Sequence, residues 1–124
     1  MAQSGSRHSQ AKKLWAAISV DKPIFAGHTE GLALNFGIVN DGHSTVDPRV
    51  ESSHLLINGV EPSEWPIIIG NGPRDSLFHA LPPGKFLEFG YVLGKFFEKP
   101  GVYIVKWSGE NFSAPEISFR VLSN

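Results

Sequence analysis

Apolar residues recur at every second position in several short runs of this chain. In residues 32–39, Leu32, Leu34, Phe36 and Ile38 share one parity, and Ala33, Asn35, Gly37 and Val39 the other. That period predicts a β-strand with one face in a core. Leu14, Ala16, Ile18 and Val20 alternate with Trp15, Ala17 and Ser19 and predict a first strand. Near the C-terminus, Leu87, Phe89, Tyr91 and Leu93 share a face. Tyr103, Val105 and Trp107 oppose Val102, Ile104 and Lys106, and Ile117, Phe119 and Val121 point inward while Glu116, Ser118 and Arg120 point out.

Turn chemistry separates these runs. Asp21-Lys22-Pro23 breaks the first strand, Gly27 and Gly31 bracket a second turn, and Asn40-Asp41-Gly42 ends the clearest strand. Asn58-Gly59 is a strong tight-turn pair after a short strand around His54 to Ile57. Residues 65–69, WPIII, could form another strand, near an edge or a strand start because Pro66 cannot donate to a ladder. Residues 70–84 form a long loop that could carry one helical turn around Asp75 to His79. In residues 98–109, Pro100-Gly101 turns the chain, and the strand from Val102 is apolar on both faces, as expected in the middle of a sheet. Tyr103 sits near its start. It is either a corner tyrosine that bonds back to the preceding loop or a core aromatic. Seven or eight short strands with turns between them and no long amphipathic helix predict one all-β, antiparallel sandwich. Residues 1–11 are polar and aperiodic and read as a flexible tail, leaving residues 12–124 as the domain.

Composition narrows the partners. A chain of 124 residues suits a single domain and buries roughly two-thirds of its unfolded surface. The formal net charge of −1 gives no field to attract nucleic acid or an anionic membrane. No apolar run approaches the roughly 20 residues of a membrane span. Residues 14–20 follow basic residues, as a signal-peptide core would, but run straight into a turn and are read as the first strand. The absence of cysteine removes disulfides and thiolate chemistry and leaves the compartment open.

Catalytic patterns are sparse. Residues 42–46, GHSTV, share the start of a nucleophile elbow but lack its second glycine, so Ser44 beside His43 reads as a polar turn. No His-x-His or His-Glu-x-x-His occurs among His8, His28, His43, His54 and His79. Asp75 and His79 would share a face of a helical turn, and Asp41, Asp47 and Glu51 could offer oxygens to Ca²⁺, but neither set forms a ligand pattern. The glycines make no phosphate loop, and Asn111-Phe112-Ser113 matches a glycosylation acceptor only by chance. No cofactor is expected.

The turns do suggest relatives. Asp21, Lys22, Pro23, Phe25 and Gly27, and later Leu81, Pro83, Gly84, Pro100, Gly101 and Tyr103, resemble the opening and closing patterns of bacterial immunoglobulin-like, macroglobulin-type domains. The layout is also similar to the bacterial intracellular proteinase inhibitor family. The resemblance spans residues 13–122 and rests on turn and core positions, so it implies an immunoglobulin-like fold and carries no chemistry. His28-Thr29 and the length of residues 70–84 depart from it, and no thioester motif is present.

These readings point to a non-enzymatic binding or interaction module whose partner is another protein. A weak homodimer through a sheet edge is a further expectation. Recognition is expected in residues 61–66 and 70–84, with Trp65, Arg74, Phe78 and His79 as the binding residues, or by strand addition at an open edge. Trp65, in a polar loop, is the tryptophan expected to be exposed. Two rivals come from other classes: a protease inhibitor acting through residues 70–84, and a carbohydrate-binding module using Trp65.

Overall fold

The computed structural model describes residues 14–71 and 75–123. The tail expected at residues 1–11 lies outside them, as does Arg74. The described residues form an all-β sandwich of two sheets. β1 (Leu14–Val20), β3 (Ala33–Asn40) and β5 (Phe86–Val92) make one, in the order β1-β3-β5 and antiparallel throughout. β2 (Ile24–Phe25), β7 (Ile117–Val121), β6 (Gly101–Ser108) and β4 (His54–Ile57) make the other, in the order β2-β7-β6-β4. Its pairs are antiparallel except β2 with β7, which is parallel. The two-residue β2 breaks the expected antiparallel pattern. After Asp21-Lys22-Pro23 the chain crosses to the second sheet, where the carbonyls of Pro23 and Phe25 accept from Arg120 and Leu122.

The period-two runs bury the predicted faces. Leu32, Leu34, Phe36 and Ile38 are fully buried, as are Val105 and Trp107 opposite them, and Phe119 and Val121 complete the inner face of β7. Each such side chain contributes about 1.5–3 kcal/mol by leaving water. Phe36 lies at the centre, stacked on Phe89 with ring centroids 5.0 Å apart and edge-on to Trp107 at 4.9 Å. A second aromatic group, Phe25, Phe97, Tyr103 and Phe119, closes the end of the sandwich beneath the Pro100-Gly101 corner. There the Tyr103 hydroxyl donates to the Lys99 carbonyl at 2.6 Å, the bond that the corner reading requires.

Several local expectations change. Residues 65–69 are not a strand: Trp65–Gly70 is a short helix, α1. Pro66 sits in its first turn, where no N–H is needed and the fixed φ already suits a helix. Strand β6 is central, between β7 and β4, but its outer face is open to solvent at Val102 and Ile104. Asn40 does not end β3 by adopting a turn conformation. It is a buried strand residue whose side chain accepts from Gly42 N–H and donates to the carbonyls of Ser44 and Leu81, each at 2.8 Å. The tight turn expected at Asn58-Gly59 is present, with φ of 50° and 84° and two hydrogen bonds joining Ile57 to Val60.

Candidate binding surface

The outer face of the β1-β3-β5 sheet is laid out in rows by strand register. Trp15, Val39 and Phe86 align across the three strands, followed by Ala17, Gly37 and Glu88, and then Ser19, Asn35 and Gly90. Each row follows from the alternation that turns Leu34, Phe36 and Ile38 inward. The first row is apolar, with Trp15 and Phe86 each 59% accessible and Val39 half-buried between them. The second is almost without side chains in its middle, because Gly37 has none and Ala17 has only a methyl. The third is polar, and Asn35 leans across Gly90, where an added Cβ would meet its Oδ1 at 2.9 Å. Large residues at one end, small ones in the middle and polar ones at the other leave an open cleft of about 500 Å³ on the sheet face. Among the described residues Glu88 is the one charged residue lining it. The arrangement offers aromatic and aliphatic contact at one end and hydrogen-bonding groups at the other.

Of the residues nominated by sequence, Trp65, Phe78 and His79 are described, and Trp65 is not on the surface with His79. Trp65 is a correction: it is fully buried, at 0% accessibility, and its indole N–H donates to the Ser53 carbonyl at 3.0 Å. The polar stretch before it suggested exposure, but the helical turn it begins rolls the ring inward against Phe36, with centroids 5.8 Å apart. Trp107 donates to the hydroxyl of the same Ser53, also at 3.0 Å, so one serine satisfies both buried indoles. Phe78 is half-buried against Phe89, with centroids 5.3 Å apart. One point of the expected recognition loop is tied to the fold, where Leu81 is fully buried and bridges Val46, and within the loop the Asp75 carboxylate accepts from Leu77 N–H at 2.9 Å.

His79 is exposed and meets Asp47 and Glu51. Ligand atoms of these three lie within 4.8 Å of one another, a set that could hold a divalent ion. Neither Asp41 nor Asp75, the partners considered from sequence, belongs to it. All three side chains are exposed, and the Asp47 carboxylate already accepts from Arg49 N–H at 2.8 Å.

Sequence reasoning passed over Trp15 and Phe86. Both occupy the outward parity of a predicted strand, and that parity was the available signal: an outward tryptophan is exposed unless something covers the sheet. No family model matches the chain, and no curated protein or solved structure matches it.

Proposed function

We propose that this protein is a non-enzymatic binding module of immunoglobulin-like fold that recognises a protein partner through the outer face of the β1-β3-β5 sheet. The observation that carries this reading is the apolar Trp15–Val39–Phe86 row, with Trp15 and Phe86 exposed, beside a cleft floored by Gly37 and Ala17. Aromatic anchors beside a polar rim are what protein interfaces use for most of their binding energy. The immunoglobulin-like part of the reading is supported by the parallel β2-β7 pair and the Tyr103–Lys99 corner bond.

The test is capture from a lysate of the source organism by the wild type, Trp15→Ala and Gly37→Val. At Gly37 an added Cβ would come no closer than 3.8 Å to a neighbour, so valine fits the strand while filling the cleft. A partner held by the wild type and lost from both variants, with thermal stability kept, supports the reading. A partner retained by Gly37→Val sinks the cleft as the site.

A carbohydrate ligand is the second reading, moved from Trp65 to Trp15. It is favoured by Ser19, Asn35 and Glu88 lining the same cleft, where they could bond sugar hydroxyls. Trp65 and Trp107 are fully buried, so fluorescence quenching by a soluble polysaccharide would report Trp15. A polysaccharide panel that leaves the emission unchanged removes this reading.

A further inference from the structure

The four sheet edges are not equally protected. β4 is four residues long and blocked: Leu55 N–H donates to Glu61 Oε1 at 3.3 Å, and the Asn58-Gly59 turn folds Val60 back onto Ile57. β2 has two residues and follows Pro23. β5 carries Glu88 and Gly90, and Phe78 packs beside it on Phe89. Short length, charge, proline and covering turns are the usual defences of an edge. Among the described residues β1 has none of them. Its seven residues, LWAAISV, contain no charge, proline or glycine. Among the described residues its main chain bonds only to β3.

We propose that β1 pairs antiparallel with β1 of a second copy of this chain, joining two three-stranded sheets into one of six strands. The sequence of β1 is complementary to its own reverse. Full overlap of the seven residues places Ala17 opposite Ala17 on the two-fold axis. Trp15 then faces Ser19, Ile18 faces Ala16 and Leu14 faces Val20 of the partner subunit. A large side chain meets a smaller one at nearly every step, and no like charges meet. The core-facing parity of one copy continues that of the other, and so does the outward parity. Each Trp15 thereby borders the polar end of the other copy's cleft. This inference rests on the edge alone and stands whatever the cleft binds.

The test is sedimentation equilibrium of the full chain over a concentration series, beside Ala17→Lys. That lysine would lie on the outer face next to the open space over Gly37, so the monomer accommodates it. In the dimer two lysines would meet on the axis, and the dissociation constant is expected to rise about tenfold or more. Cross-linking checks the register, since the chain has no cysteine of its own. Oxidised Ala17→Cys should form a covalent dimer. Ser19→Cys should form none alone but should join Trp15→Cys in a mixture. A wild type that stays monomeric at high concentration, with no Ala17→Cys cross-link, overturns the proposal. So does a dimer unaffected by Ala17→Lys, which would place the interface elsewhere.

Discussion

The two sheets share one core but meet the solvent differently. The four-stranded sheet ends in short or blocked edges, and Lys106 and Arg120 lie on its outer face among Val102 and Ile104. The three-stranded sheet ends in two strands of seven residues and exposes Trp15 and Phe86 around a glycine-floored cleft. The contrast separates two jobs. The four-stranded sheet, with α1 and Ser53, holds the two buried indoles and the serine that satisfies them. The other holds the core on one side and offers an unfinished surface on the other. In the same chain a tryptophan therefore serves opposite ends: Trp65 and Trp107 hold the interior, and Trp15 faces outward.

That division can be broken experimentally. The largest effect is expected at Trp65. Trp65→Ala removes a fully buried ring that touches Phe36 and should lower unfolding stability by about 3–5 kcal/mol in denaturant titration. A loss below about 1 kcal/mol would mean that the ring is not buried. Ser53→Ala comes next. It deprives the buried Trp107 indole N–H of its acceptor and should cost about 1–3 kcal/mol. A neutral result would show that the hydroxyl is dispensable. Gly59→Ala should cost about 1 kcal/mol, because φ of 84° is a region that residues with a Cβ avoid. Space is not the reason, since nothing lies within 4 Å of an added Cβ there. The smallest effect is expected at Trp15. Trp15→Ala should change stability by no more than about 0.5 kcal/mol while removing the proposed binding. If Trp15→Ala destabilised the chain as much as Trp65→Ala, the two regions would not differ as described.

Much of the sandwich was legible in the sequence. Period-two alternation is a property of the strand itself, so the inward sets Leu32, Leu34, Phe36, Ile38 and Phe119, Val121 could be read without knowing their partners. The Asn58-Gly59 turn was equally readable, because the conformations it needs are local. Residues 65–69 were not. A short apolar run with a leading proline suits both an edge strand and the first turn of a helix, and what decides is the cavity waiting for the indole between Ser53 and Phe36.

The candidate surface divides the same way. The sequence by itself determined that Trp15 and Phe86 take the outward parity of their strands, because side-chain direction alternates along any strand. Only the tertiary structure decided that the two share a row with Val39, that Gly37 opens a cleft beside them and that β1 lies at an edge. Register and strand order depend on which distant segments pair. Residues 14–20, 33–40 and 86–92 become neighbours only through contacts that no local pattern encodes.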